Sequence, residues 1–183
     1  MAYLDELTKF EREVFRLITS DEKLMRAVTN TDKKNSLVHS LPLTNGQKSL
    51  PKDFMYKNLF PYPWIGTNME EEKKAYITLD VMNLSSASDY YKEMSIAIYV
   101  FCHQDVIQML DEENEIVNRI NYILQRIERL MNQNPDFGIG KLKFRGLRSE
   151  RISLQIPGRF IVYSTMDYDR KVGPRRDQVS NGQ

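Results

Sequence analysis

Apolar residues at helical spacing between positions 115 and 133 constrain the fold more than any other feature of the sequence. They recur every three or four positions, and most of the residues between them are charged or carry amides. This spacing places them on one face of an α-helix that packs against a core. Acidic residues at 111–113 precede the segment and Arg126 and Arg129 lie near its end, as the helix dipole favours. The apolar stripe consists of Ile116, Ile120, Ile123, Leu124, Ile127, Leu130 and Met131.

Two strands are predicted before this helix. From Ala75 to Met82, every second residue is Ala, Ile, Leu or Val, which indicates a half-buried strand. The segment 92–103 is apolar on both faces in its later half, so we expect it at the centre of a sheet. The turn-forming segment 83–89 between them is short, which favours an antiparallel hairpin.

The N-terminal segment 3–29 is predicted to be helical. Leu4, Leu7, Val14, Leu17 and Ile18 recur at helical spacing among charged residues. A threonine at 19 and a glutamate at 22 have the spacing of a capping box, which predicts a second short helix in a new direction.

Two further strands are expected after the long helix. One covers 141–147, and the other runs from 152–156 through a turn at Pro157-Gly158 into 160–166. The elements together predict a single α+β domain over residues 1–168. Its antiparallel sheet of about four strands is packed by an N-terminal helix and one long amphipathic helix.

The segment 29–74 lacks periodicity and is rich in turn formers, which predicts an extended loop or arm. Its centre, 54–65, is rich in aromatic and apolar residues, so we expect a surface to cover it. Two interpretations stand side by side: the arm folds back onto an open face of the sheet, or it contacts a neighbouring subunit. The polar segment 169–183 is predicted to be a mobile C-terminal tail.

Residues suited to catalysis or metal binding are few. The chain has two histidines, His39 and His103, and one cysteine, Cys102, without the local spacing of a zinc site. Cys102 lies among apolar strand residues, which predicts a buried thiol, and His103 is expected to end the strand. The string GIGK at 138–141 follows a helix and lacks the Walker spacing, so it predicts a turn. We therefore predict no catalytic residues, no metal and no cofactor.

Charge and hydropathy argue against two classes of main function. The chain has 26 Lys and Arg and 25 Asp and Glu, and the signs are mixed, so it offers no strong field for nucleic acid. Its longest mostly apolar run, 96–102, is far shorter than the ~20 residues that span a bilayer. The N-terminus lacks the features of a secretory signal, which together with the single cysteine predicts folding in a reducing cytoplasm.

A basic run lies near the C-terminus. Its cations alternate with Leu142 and Phe144, which indicates the solvent face of a strand or an interface with an acidic partner surface. The run consists of Lys141, Lys143, Arg145, Arg148 and Arg151.

The order of elements resembles one known family. A leading helix, a hairpin ending in IAIYVF, a long amphipathic helix and a closing pair of strands resemble the tail terminator, or tail completion, proteins of tailed bacteriophages and related contractile particles. The resemblance covers residues 3–28 and 75–168, and segments such as IAIYVFCHQD and GIGKLKFRGL carry it. The arm 29–74 and the tail after Asp169 depart from a minimal terminator.

This resemblance implies a structural virion protein without catalytic residues. Such proteins form a hexameric ring that caps the tail tube at its head-proximal end and joins it to the head or neck. The expected partners are other copies of the chain, the tail tube protein and a neck or connector protein, in a virion tail or neck assembled in the host cytoplasm. The expected interface residues are Phe60, Tyr62, Trp64 and Ile65 toward a neighbouring subunit, and Lys143, Arg145 and Arg148 toward the tube or neck.

Three alternatives remain open. A neck connector or stopper ring shares the same partners. A small enzyme would need an active site built from distant residues such as Asp80, His103 and Asp105. An adaptor that binds proline-rich or helical partners would stay monomeric.

Overall fold

The computed structural model describes residues 2–41, 43–44, 47–48, 53–63, 68–88, 91–133 and 142–168. Within these residues the chain forms helices and a central sheet. The helices are α1 (Ala2–Ser20), α2 (Glu22–Thr29) and α3 (Arg119–Gln133). The strands are β1 (Leu43–Thr44), β2 (Gln47–Lys48), β3 (Leu59–Phe60), β4 (Ala75–Ser88), β5 (Tyr91–Cys102), β6 (Gln108–Leu110), β7 (Ile116–Asn118), β8 (Lys143–Arg151) and β9 (Pro157–Tyr168).

The central sheet has five strands in the order β3-β4-β5-β9-β8. β3 runs parallel to β4, and the other neighbours are antiparallel. The predicted α+β class, the β4–β5 hairpin and the central position of β5 are confirmed. The expected four strands become five because the arm 29–74 contributes β3, where Leu59 pairs with Ile77.

The helices cover one face of this sheet and form the main core. Apolar residues of α1, α2 and α3 pack there against Ile77, Ile98 and Ile161 from neighbouring strands. The opposite face carries a smaller buried cluster, in which Phe101 packs closely over Gly158. A Cβ at Gly158 would overlap the Phe101 ring and lie 2.9 Å from the Val100 carbonyl oxygen, so only glycine fits.

The junction between α1 and α2 is fixed by Asp21. The second short helix is confirmed, but the predicted cap at Thr19 is wrong. The Asp21 carboxylate accepts the Leu24 N–H at 2.9 Å and so caps α2, while the Thr19 hydroxyl donates to the Phe15 carbonyl within α1. The same Asp21 carboxylate pairs with Arg126 of α3 at 2.5 Å, which ties α2 to α3.

The start of the long helix differs from the prediction. α3 begins at Arg119 rather than near Glu115, and Asn118 accepts the Asn121 N–H at its first turn. Asp111 accepts the N–H groups of Glu113 and Glu115, so the acidic residues form the turn between β6 and β7 instead of opening the helix.

Ile116 has the spacing of the apolar stripe, but it lies in β7 and is 71 % exposed. The remaining residues of the stripe, from Ile120 to Met131, lie on the face of α3 that packs against the core, as predicted.

The last two strands also have different boundaries from those predicted. β8 continues to Arg151, and residues 152–155 form the bends that lead into β9. Pro157-Gly158 begins β9 instead of turning the chain, because both residues pair with the end of β8. On the other hairpin, β4 extends to Ser88, so the predicted turn at 83–89 is largely strand.

Arg119 is a charged residue at the centre of the helix layer and is 1 % exposed. Its Nε donates to the Val106 carbonyl at 2.7 Å, and its Nη1 donates to the Ala27 carbonyl at 2.5 Å and to the Ser36 hydroxyl at 3.3 Å. Ala27 lies in the last turn of α2, where carbonyl groups lack helical partners and favour a cation. Burial lowers the pKa of the guanidinium. Its hydrogen bonds compensate for the loss of water.

Replacing Arg119 with methionine leaves the Ala27 and Val106 carbonyls without their donor. We expect the free energy of unfolding to fall by about 3 kcal/mol in urea denaturation. Arg119→Lys should lose nearly as much, because an ammonium cannot reproduce the planar fork. Arg129→Met, on an exposed part of α3, is the control and should change stability by less than about 0.5 kcal/mol. Losses below about 1 kcal/mol for both Arg119 variants would contradict this role.

The buried thiol of Cys102 should be unreactive in the folded protein. Cys102 is fully buried, as predicted, and burial raises its pKa to about 12. At pH 8 roughly one thiol in ten thousand is then ionised. We expect iodoacetamide to leave Cys102 unmodified in the native protein and to alkylate it fully in denaturant, as read by intact mass. Alkylation of the native protein at the rate of an exposed cysteine would contradict the burial.

Candidate functional site

The strand order separates the two groups of predicted interface residues. β3, which lies within the aromatic part of the arm, is at one edge of the sheet, and β8, which carries most of the basic run, is at the other. Four interstrand spacings, or about 19 Å, separate these edges. Each edge can therefore contact a different partner at the same time.

Aromatic rings from the arm contact one another, edge-on or tilted, at the β3 edge. Phe60 is 3 % exposed, whereas Tyr56 and Tyr62 are 64 % and 43 % exposed. The ring centroids of Tyr56 and Tyr62 lie 6.3 Å apart, and each lies within 6.5 Å of the Phe60 ring. We call the exposed pair, Tyr56 and Tyr62 with their supporting turn, the aromatic edge.

Part of the arm folds back onto the sheet, as one sequence interpretation predicted, and part of it remains exposed, as the other interpretation requires. Phe54, Leu59 and Phe60 are buried against the sheet and helices, so Phe60 is a core residue and the expectation that it contacts a neighbour is wrong. Tyr62 remains exposed. Trp64 and Ile65 lie outside the described residues.

A backbone turn closes the outer side of β3. The N–H groups of Lys57, Asn58 and Leu59 all donate to the Phe54 carbonyl, and the Tyr56 N–H donates to the Leu59 carbonyl at 2.8 Å. Tyr56 adopts a φ of 61°, an uncommon conformation for a bulky residue. Sequence reasoning missed Tyr56 as an exposed residue, because nothing in the aromatic run reveals this conformation.

A groove of about 400 Å³ runs between α1 and this turn. Phe15, Met55, Tyr56 and Pro61 provide its apolar surface, with Arg12 and Glu11 among the polar residues beside them. Burial raises the pKa of the Glu11 carboxyl. The groove extends the apolar surface of the aromatic edge toward the N-terminal helix.

Acidic residues follow the aromatic segment along the chain. Met69 is buried in the cluster that contains Phe60 and Tyr76, which anchors the Glu70-Glu71-Glu72 turn beside this edge. Lys74 and the Tyr76 hydroxyl hydrogen-bond to Glu72 and lower the pKa of its carboxyl.

Both lysines that follow the acidic turn have partners of their own. Lys74 pairs with Glu72 at 3.1 Å, and Lys73 pairs with Asp105 at 2.6 Å. Glu70 and Glu71 are exposed and form no ion pair within the described part of the chain.

The opposite edge is formed by β8, whose outer side pairs with no strand among the described residues. Lys143, Arg145 and Arg148 are all exposed, so the expected solvent-facing basic strand is confirmed. The Arg145 Nε donates to the Ser164 hydroxyl of β9, next to a bulge in the register. Lys141 lies outside the described residues.

Apolar side chains accompany these cations. Phe144 and Leu147 are 52 % and 47 % exposed, although alternation predicted that Phe144 faces the core. The Phe144 ring still contacts the Tyr163 ring edge to face, with the two ring centroids 6.1 Å apart. Alternation identifies the face of a strand but cannot reveal that the helices stop short of this edge.

The three residues of the enzyme alternative do not converge. Asp80 pairs in register with Ala97, whereas His103 follows the end of β5 opposite Ala75. Five residues of strand separate Asp80 from Ala75, or about 17 Å. His103 is buried and its Nδ1 accepts the Asp105 N–H at 3.2 Å, as predicted for a residue that ends the strand.

The described residues contain no cluster of three or more His, Cys, Asp or Glu side chains placed to hold a metal ion. Their helices include none with the length and hydropathy of a transmembrane span.

Comparison with known proteins gives a family. No curated protein matches the sequence. The model of the YomW family matches residues 21–166, from the cap of α2 to β9, which is most of the chain. The chain therefore belongs to the YomW family, a phage-associated protein family.

Proposed function

We propose that this protein is a tail terminator: a virion protein that forms a ring at the head-proximal end of a phage tail, ends growth of the tail tube and joins the tail to the head or neck. Membership of a phage-associated family supports the phage setting. The observation that carries the proposal is the separation of two unlike surfaces, the aromatic edge and β8, at opposite edges of one sheet.

A ring of identical subunits needs this kind of separation. In a head-to-tail contact, each subunit uses one surface toward one neighbour and a different surface toward the other. A subunit with a single self-complementary contact surface would form only a dimer. Surfaces about 19 Å apart on a rigid sheet allow both contacts to form without competition.

The proposed action is geometric rather than catalytic. Bound at the last ring of the tube, the protein would cover the surface to which the next tube subunit adds. The cations of β8 suit an acidic surface, and the exposed tyrosines offer large contact areas with little side-chain entropy to lose. Asp80 lies about 17 Å along the sheet from the neighbouring His103 and Asp105, so the three residues do not form a common site, which favours a structural role over the enzyme alternative.

The direct test mixes purified protein with tail tubes of the phage that encodes it. Light scattering measures the mass of the protein alone and with tubes, and negative-stain imaging locates added density. We expect ring-shaped density at one end of each tube and no further elongation when tube protein is added. Density confined to isolated necks would instead support a connector or stopper. A protein that stays monomeric and binds neither particle would overturn the proposal.

A pair of substitutions separates assembly from folding at the aromatic edge. Tyr62→Ala should leave the free energy of unfolding within about 0.5 kcal/mol but weaken assembly on tubes, because its ring is exposed. Phe60→Ala should cost about 3 kcal/mol of stability, because its ring is buried. Urea denaturation and tube-end occupancy measure the two effects.

The control for Tyr62→Ala is Val38→Ala, which truncates an exposed apolar residue in the segment after α2. It should alter neither stability nor assembly. Equal assembly by Tyr62→Ala and the parent protein would remove the aromatic edge from the contact surface.

A further inference from the structure

The two faces of β8 differ in chemistry. Lys143 and Arg148 pair in register with Ser164 and Phe160, on the face away from the helices. Residues directly opposite one another in an antiparallel pair point to the same side of the sheet. Phe144 and Leu147 pair with Tyr163 and Ile161 and so point to the helix side. From Lys143 to Arg148, this edge therefore offers cations on one side and exposed apolar groups on the other.

Two copies of β8 are poorly suited to pair with each other. The strand carries Lys143, Arg145, Arg148 and Arg151 against the single carboxylate of Glu150. An antiparallel pair of such strands would place like charges opposite or diagonal to one another, which is destabilising. The occupant of this edge must instead bring negative charge.

The aromatic edge brings apolar surface, and the Glu70-Glu71-Glu72 turn beside it brings negative charge. Glu70 and Glu71 are exposed without an ion pair in the described residues, because Lys73 and Lys74 are held by Asp105 and Glu72. Tyr56 supplies an exposed ring, which can pack on apolar groups or on the face of a guanidinium.

The turn over β3 also determines how this edge can bind. Its backbone groups hydrogen-bond to one another, from Phe54 to Leu59, so β3 does not offer a free strand edge there. Contact at the aromatic edge is therefore made by side chains. β8 likewise presents exposed side chains on both faces of the sheet at its open edge.

We propose that the β8 edge of one copy docks against the aromatic edge of the next, with Lys143 and Arg148 facing Glu70 and Glu71, and with Phe144 and Leu147 packing on the exposed tyrosines. This inference rests on the proposed ring, since it names the two surfaces through which neighbouring subunits join. It assigns Lys143 and Arg148 to a neighbouring subunit instead of the tube or neck that the sequence resemblance implied. The contact is head-to-tail: each copy binds one neighbour through its β8 edge and the other neighbour through its aromatic edge. Its ionic part weakens as salt rises.

Charge reversal tests the pairing, because all four charged residues are exposed and their replacement spares the core. One variant carries Glu70→Lys and Glu71→Lys, which makes both edges basic. The other carries Lys143→Glu and Arg148→Glu, which makes both edges acidic. Light scattering and imaging compare each variant, their equimolar mixture and the parent protein, alone and on tail tubes, with circular dichroism to verify folding.

We expect each variant alone to lose ring formation by tenfold or more in apparent affinity, on the order expected for opposed like charges. We expect the mixture to regain rings, because each basic edge then meets an acidic one and the two variants alternate. A control with Lys9→Glu and Arg129→Glu makes the same change in net charge as the Lys143→Glu and Arg148→Glu variant, but at exposed helix positions, and should assemble like the parent.

The outcomes separate this inference from the proposed function. Rings from the parent and from either variant alone would overturn the pairing of edges and leave the ring intact. Rings from the parent but none from a mixture of two folded variants would also overturn the pairing. A parent protein that forms no ring alone or on tubes would overturn both proposals.

Discussion

The buried guanidinium of Arg119 fixes the helix layer on which the rest of the structure depends. A charge removed from water is tolerated only where hydrogen bonds replace its hydration, and here the acceptors come from three separate segments. The end of α2, the turn before β6 and the segment around Ser36 therefore have to meet at the first residue of α3. Once they do, α3 lies along β5 and β9, and the core of the helix side closes.

That layer leaves the sheet with two different edges. The helices pack over β4, β5 and β9 and leave Phe144 and Leu147 of β8 exposed. At the other end the arm folds back, buries Phe54, Leu59 and Phe60, and presents Tyr56 and Tyr62 outward. Within the short segment 54–62 of the arm, buried residues that belong to the core alternate with exposed residues. This division explains why its sequence is too apolar for a solvated loop and too irregular for a helix or strand.

The sequence predicted those elements whose residues repeat. The alternation of β4, the doubly apolar half of β5 and the stripe from Ile120 to Met131 each reflect a local geometry that the structure contains. Boundaries were harder to predict, since Ile116 fits the helical spacing but belongs to β7, where Asp111 organises the preceding turn. Arg119 shows the limit clearly. Its polarity predicts exposure, whereas its hydrogen-bond acceptors include a carbonyl 92 residues away in the chain.

At the candidate site, the sequence correctly predicted that the basic residues of β8 are exposed. The burial of Phe60 depends on a tertiary contact with Tyr76 that no local pattern contains.

The turn that closes β3 also affects how readily the sheet can pair edge to edge with another sheet. Extended sheets in fibrils grow when strand edges at both ends of a sheet accept new strands. Here the Phe54–Leu59 hydrogen bonds occupy the backbone at one end, and repulsion between cations discourages a second β8 at the other. Both edges of the sheet are accordingly poor templates for the edge-to-edge strand pairing from which fibrils grow.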